Sequence, residues 1–464
     1  MIRRLSALSA LLASGCMAAS TPPSASVSPM ASPAFTTRDI STIAPVPDDW
    51  WRLFNDPQLD HLVQSSLAAN ADLRVAYAAL DSARAAVRQA DAARLPQPII
   101  ESSLGNDNPS GQPSAANVSA SDYDVAATVS WDIDLFGRLR GAAMAARADA
   151  DAQAAALDGV RVAVVSDTVL AYIDLCGATH NGRIAREIVA AQERNLKGVQ
   201  EQFRAGELSP LEVSQAASLL ATSRSTLPSF EAARDNARYR LATLQGLSPT
   251  DPGIAAMDCA TMPRLRNAIP VGDDTALLLR RPDIREAERR LASATAGIGV
   301  ARAELYPKVN LGGALGLLSG GFAATASPLV SWTFPNQAPA RAKIAAAQAK
   351  ERGALASWDA AVLRALREVE NALTATQAEA KRNAALASAT DEAALYARRT
   401  ASRARLGDAS PLLAIDAERT RAIARLAWAQ SDLLLAQSYV ALFRALGGGW
   451  QGAPQPLDPA RPIG

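Results

Sequence analysis

Between Tyr123 and Leu135 every second residue is apolar: Tyr123, Val125, Ala127, Val129, Trp131, Ile133 and Leu135 alternate with Asp124, Ala126, Thr128, Ser130, Asp132 and Asp134. A period of two puts the two sets on opposite faces of a strand, so this stretch predicts an amphipathic β-strand. Phe322, Ala324, Ala326, Pro328, Val330, Trp332 and Phe334 keep the same beat more weakly. From Gly137 the period becomes helical and runs to about Arg204 without a proline, a rod of about 100 Å at roughly 1.5 Å per residue. A second rod of the same reach is predicted from Ala340 to about Leu406. Each rod stops at a Gly-x-x-Ser-Pro turn, Gly206 to Pro210 and Gly407 to Pro411. Glycine suits the left-handed residue past a helix end, serine the N-cap and proline the first turn, so each is a helical reversal. Ser209 and Glu212 add a capping box at the first. Returning helices are expected to reach about Leu244 and Leu446. Shorter helices, 70–94 and 282–304, precede the strands and end at Pro96 and Pro307, where proline stops them.

The pattern is written twice. Asp72 to Leu80 matches Asp283 to Leu291 at an offset of 211, whereas Ser130-Trp131 and Ser209-Pro210-Leu211 match Ser331-Trp332 and Ser410-Pro411-Leu412 at 201. The difference falls in a longer loop of the first copy, around Asn106 to Ala120. The chain therefore divides into repeat 1 at 50–246, with a strand pair near 96–136 and a tip near 205–210, a linker at 247–275, and repeat 2 at 276–450. The second repeat has its strand pair near 307–334 and its tip near 406–411, and 451–464 form a tail. Four strands with an apolar face cannot close a barrel, and lipid does not tolerate open strand edges. Three copies would supply twelve strands, a permitted barrel size, with Asp-bearing faces toward water and apolar faces toward lipid. The fold class is thus mainly α with a transmembrane β-barrel, each chain a duplicated helix, strand pair and long helical hairpin.

Composition agrees and removes other classes. The 464 residues hold 47 Lys+Arg against 46 Asp+Glu, so no basic field exists for nucleic acid. About one residue in five is Ala, which favours long packed helices. Two His and three Cys are too few and too scattered for a metal site. Gly297-Ile-Gly299-Val-Ala-Arg302 lacks a third glycine and lies in a helical stretch, so it is no dinucleotide fingerprint. No Walker loop, Gly-x-Ser-x-Gly or Cys-x-x-Cys is present, so no enzyme is expected. Neither a cofactor nor a metal is expected.

The first 15 residues read as a signal peptide, with Arg3-Arg4 before an apolar stretch from Leu5 to Ala13. Leu12-Ala-Ser-Gly-Cys16 resembles a bacterial lipoprotein signal, which would make Cys16 the acylated first residue of the mature chain. Met17 is not the inner-membrane retention Asp, so the outer membrane is the expected destination. The Ser/Pro/Thr/Ala-rich residues 16–49 read as a lipidated tether. No later segment is expected to cross a membrane as a helix, because Leu426 to Leu446 is interrupted by polar residues.

Trp50-Trp51-x-x-Phe54-x-Asp56-Pro57-x-Leu59, Ser130-Trp-Asp-Ile-Asp-Leu-Phe-Gly-Arg138 and Leu279-Arg-Arg-Pro-Asp-Ile-Arg285 resemble signatures of the outer-membrane efflux lipoproteins, the NodT group of the TolC/OprM outer-membrane factor family. The resemblance covers Trp50 to about Trp450. It implies a homotrimer with a twelve-stranded barrel in outer-membrane lipid, a periplasmic α-helical tunnel and an equatorial region. It also implies two partners, a periplasmic membrane-fusion adaptor and an inner-membrane RND transporter. Pro335-Asn-Gln-Ala-Pro-Ala-Arg341 departs from the Gly-Arg turn that relatives often carry after the second tryptophan.

Within that family Leu412 and Asp416 match the Leu-x-x-x-Asp pair that narrows the periplasmic entrance, and three symmetry copies of Asp416 would make an acidic ring. Leu211 and Gln215 take the matching places in repeat 1. The alternative for Asp416 is a solvated helix-face charge among ordinary surface residues such as Glu418 and Arg419. Gly206, Glu207, Gly407 and Asp408 would be the tips offered to the adaptor, or simply turns. Asp132 and Asp134 fit a water-filled lumen or, alternatively, a strand-end cap. Cys176 and Cys259 are an even pair in an oxidising compartment once Cys16 is lipidated, and both would fall in the equatorial region, so a disulfide between them is expected. The expected function is a passive gated exit duct for small amphiphilic compounds. The alternatives are a type I protein-secretion duct and a non-pore periplasmic coiled-coil scaffold.

Overall fold

The computed structural model describes residues 41–42, 44–105, 122–259, 261–265, 269–271, 280–318 and 321–451. The expected signal peptide, Cys16, most of the tether, the longer loop of repeat 1 and nearly all of the tail lie outside them. In chain order the structure contains β1 (Ser41–Thr42), a 3-10 turn (Trp50–Phe54), α1 (Pro57–Ala69), α2 (Ala71–Ala92), β2 (Gln97–Gly105), β3 (Asp122–Ile133) and α3 (Arg138–Arg204). Then come α4 (Pro210–Ser225), α5 (Leu227–Leu244), α6 (Pro252–Ala255), β4 (Ile269–Pro270), α7 (Pro282–Ala303), β5 (Lys308–Leu318), β6 (Gly321–Ser331), α8 (Ala338–Arg405) and α9 (Pro411–Ala445).

The chain forms two compact units. In one, Val87–Ala148 and Glu288–Leu355 build a four-stranded antiparallel sheet in the order β2-β3-β5-β6, so the two strand pairs of the repeats join through β3 and β5. The register aligns their apolar beats: Ala127 faces Ile100 and Leu315, Trp131 faces Leu311, and Leu311 faces Pro328. Directly opposed residues share a face. The opposite face carries Thr128, Ser130, Asn310 and Ser327, interrupted on the outer strands by Ile99 and Leu329. There the amide of Asn310 bonds the Ser130 hydroxyl.

One interaction is repeated by the duplication. Trp131 Nε1 donates to the Arg94 carbonyl at 3.0 Å and Trp332 Nε1 to the Leu305 carbonyl at 3.0 Å. Arg94 and Leu305 stand two residues before the helix-ending prolines, so in both copies a tryptophan ties the second strand to the exit of the preceding helix. The exits of those strands differ. Gly137 takes a left-handed φ of 77° before α3, whereas the second junction passes through a cis Phe334–Pro335 bond before α8.

The other unit holds Pro33–Ala86, Asp149–Ala287 and Ala356–Gly464 and is helical. The rods are 67 and 68 residues long. α3 is apolar enough over part of its length to pass as a membrane span. Because 72% of that window is buried inside the fold, it is a core helix instead. Its Val165, Val169, Tyr172, Ile173 and Leu175 share one core with Trp50, Phe54, Leu59 and Phe443. Trp50 stacks on Phe443 with ring centres 4.7 Å apart.

Two elements depart from the sequence expectation. Helix α1 was not predicted; Asp56 caps it, accepting from Gln58 N–H and Leu59 N–H while also accepting from Tyr172 Oη at 2.8 Å. The return limb of repeat 1 is two helices, α4 and α5, where one was expected. Pro228 lacks the N–H that would continue the ladder. At the matching place repeat 2 has Ala429, and α9 runs unbroken.

Candidate functional site: sheet face and helical tips

The apolar face of the sheet is exposed. Ile100, Val129, Trp131, Leu315, Phe322 and Val330 are all exposed, although each is a large hydrophobic residue on the same face. Contiguous exposure of this kind marks a surface that meets lipid or protein. The outer strands β2 and β6 pair on one side only, and such edges need partners.

Asp132 and Asp134 sit where this sheet becomes a helix. Asp132 forms an ion pair with Arg138, and Asp134 accepts from Leu139 N–H at 3.0 Å and Arg140 N–H at 2.7 Å. Both carboxylates are thereby engaged at the start of α3, where negative charge complements the helix N-terminus. These contacts belong to the strand end, and Asp132, opposite Asn310, also stands on the polar face that carries Ser130.

The two hairpin tips are built alike. Gly206 and Gly407 adopt φ of 78° and 79°. Glu207 N–H reaches back to the Gln202 carbonyl at 3.0 Å and Asp408 N–H to that of Arg403 at 2.9 Å, closing each rod by the left-handed glycine device. Ser209 and Ser410 then cap the return helices. Glu212 completes a capping box only at the first tip, and its hydrogen bond from Ser209 holds its carboxyl below the usual range. Beside the tips Val199, Ala216 and Ile415 form a small buried cluster, so the first and second hairpins pack on each other here.

Asp416 follows Ile415 into α9. Its side chain is partly exposed and pairs with Arg419 at 2.6 Å. The i,i+3 spacing of Asp416 and Arg419 is legible in the sequence. Leu412 is half-buried, Leu211 is 68% exposed, and Gln215 is exposed on α4.

Cys176 and Cys259 form a disulfide that closes 83 residues of chain. Both are buried in the main core. Replacing both by serine should lower stability by about 2–4 kcal/mol, read as an earlier denaturation midpoint that wild type reproduces under reductant.

Two structural arginines in the Leu279–Arg285 motif also become legible. Arg280 bonds the Val46 carbonyl and pairs with Asp48 at 2.7 Å, holding the entry segment. Arg281 is almost fully buried, donates to the Ala445 carbonyl at 2.8 Å and pairs with Asp283 and Glu368. Burial opposes its charge, but the two carboxylates outweigh that and raise its pKa. Nearby Asp158 pairs with Arg161 and Arg285, yet burial dominates and pushes its carboxyl up.

A sheet with an exposed apolar face and edges that lack a partner among the described residues, joined in one chain to paired helical hairpins of this length, defines a subunit of an outer-membrane channel. The outer membrane efflux protein family model matches residues 62–247 and 275–448. The chain belongs to that family, whose members are transport proteins of the outer membrane. It is 30% identical over 453 residues to the pyoverdine export outer membrane protein OpmQ of Pseudomonas putida, covering 93% of this chain and 94% of that one. It is 28% identical over 429 residues to nodulation protein T of Rhizobium leguminosarum bv. trifolii, covering 89% of each. The solved outer-membrane channel OprN superposes with a TM-score of 0.83 at 33% identity, covering 90% of this chain and 97% of that one.

Proposed function

We propose that this chain is the passive, gated outer-membrane exit duct of a tripartite RND-type efflux system, and that it carries small amphiphilic compounds. It works as a homotrimer in the outer membrane, with its helical part in the periplasm, alongside an adaptor and an inner-membrane transporter. The observation that carries the reading is the exposed apolar sheet face between two edges that have no partner among the described residues, a surface made to be closed by copies of itself in lipid. In this reading the duct performs no catalysis, and the transporter supplies the energy. Leu412 and Asp416, with Leu211 and Gln215, form the entrance, and Gly206, Glu207, Gly407 and Asp408 meet the adaptor. The polar sheet face lines water.

The purified full-length protein in planar bilayers should give stepwise ion conductance. A silent but correctly inserted protein would remove the duct. Acylation at Cys16 forms part of the proposal and has its own check. Cys16→Ala should abolish incorporation of labelled palmitate while the protein still fractionates with the outer membrane through its barrel. Retention of label in the variant would move the anchor elsewhere.

A further inference from the structure

The duplication makes the first tip an internal reference for the second. Residues 193–207 and 394–408 match at the same offset of 201 that aligns the two Gly-x-x-Ser-Pro turns. In repeat 1 that window holds Arg194, Lys197 and Arg204 against Glu193, Glu201 and Glu207, a net charge of zero. In repeat 2 it holds Arg398, Arg399, Arg403 and Arg405 against Asp408 alone, a net charge of +3. Gly198, Gln202 and Ala205 of the first tip are replaced by Arg399, Arg403 and Leu406 in the second.

All four arginines are exposed. Among the described residues none has a carboxylate partner: Arg403 donates to the Asp408 carbonyl, and Arg405 to the Ala401 carbonyl and the Ser402 hydroxyl. Leu406 beside them is 79% exposed. Cations at a helix C-terminus complement its dipole, but that effect is confined to the last turn. Arg398 and Arg399 lie farther back, and the matching rod of repeat 1 ends with only Arg204 in its last turn. A solvent-exposed leucine at the end of a helix whose last two turns carry arginines without carboxylate partners has the composition of an interface, an apolar anchor with a charged rim.

We infer that the second tip, formed by Arg398, Arg399, Arg403 and Leu406, is the charge-selective half of the docking surface, and that it receives an acidic helical hairpin of the adaptor. The first tip, neutral over the same window and with Ala205 where the second has Leu406, takes a contact without charge selection. Each protomer then offers the adaptor two unlike sites, and electrostatic attraction to the second sets register and association rate. The inference rests on the reading of the chain as an adaptor-coupled duct.

The test uses the full-length channel in phosphatidylcholine nanodiscs and two synthetic helical-hairpin peptides, identical except for Glu or Gln around the turn. The Glu peptide should bind about tenfold tighter at low salt, with the difference closing as salt screens it. Arg399→Gly with Arg403→Gln, which installs the residues of repeat 1, should remove most of that preference, and the double lysine variant should keep it. Equal binding of the two peptides, or a preference that survives the Gly/Gln variant, overturns the inference. So does a variant that changes only thermal stability, since arginines serving the helix dipole alone behave that way. Preferential binding to phosphatidylglycerol nanodiscs in place of the peptide would assign the patch to lipid and also overturn it. Conductance of the same protein preparations in planar bilayers separates the two readings: a conducting channel without acid preference loses only the inference, whereas a non-conducting one loses the duct.

Discussion

Alanine at Arg281 is expected to cost the folded chain roughly 3 kcal/mol, the lower end of the range for breaking a buried ion pair. The side chain holds the end of α9 through the Ala445 carbonyl, the start of α7 through Asp283 and rod α8 through Glu368. Its removal strands a carbonyl and two carboxylates at once. The cost stays near the lower end because both carboxylates are about half exposed and water can solvate them. Lysine keeps the charge but cannot satisfy three directions from one plane, so it should recover only part of the loss. The measurement is chemical denaturation of the purified protein, together with its yield in the outer-membrane fraction. A wild-type midpoint for Arg281→Ala would show that the motif serves something other than packing.

Asparagine at Asp416 should change ion selectivity rather than stability. Three symmetry copies of this carboxylate near the tunnel entrance would favour cations. Removing them should lower the cation-over-anion permeability ratio by roughly fivefold, the factor corresponding to about 1 kcal/mol of Coulomb interaction in water. Arg419, 2.6 Å away, partly neutralises each carboxylate, so Arg419→Ala should shift the ratio in the opposite direction. The two variants together distinguish a ring at the constriction from a solvated surface pair. Reversal potentials under a salt gradient give the answer, and unchanged values in both variants would return Asp416 to the surface role.

The sequence disclosed those parts of the molecule that obey a period. Strand alternation placed β3 and β6, unbroken helical period placed α3 and α8, and the glycine and serine of each turn placed the tips to within a residue or two. It did not disclose α1, because Pro57 to Ala69 is short and its reason to be helical is tertiary: Asp56 caps it while receiving Tyr172 from α3, 116 residues away. Nor did it disclose the break at Thr226, where the repeat comparison drew attention to similarity and hid Pro228. The role of Arg281 was invisible for a related reason. Its partners Asp283, Glu368 and Ala445 come from three elements, and only Asp283 is local. The two tryptophans were visible as a matched pair, but their hydrogen bonds to Arg94 and Leu305 needed the sheet to turn back on its preceding helix.

The central claim, an exit duct for small amphiphilic compounds, is tested most directly in cells. A deletion strain is grown across dyes, detergents, antibiotics and heavy-metal salts while its secreted proteins are profiled in parallel. The account predicts sensitisation to a set of small amphiphilic compounds, restored by the wild-type gene, with an unchanged secreted-protein profile. Unchanged growth together with a missing secreted protein would contradict it and assign the duct to protein secretion.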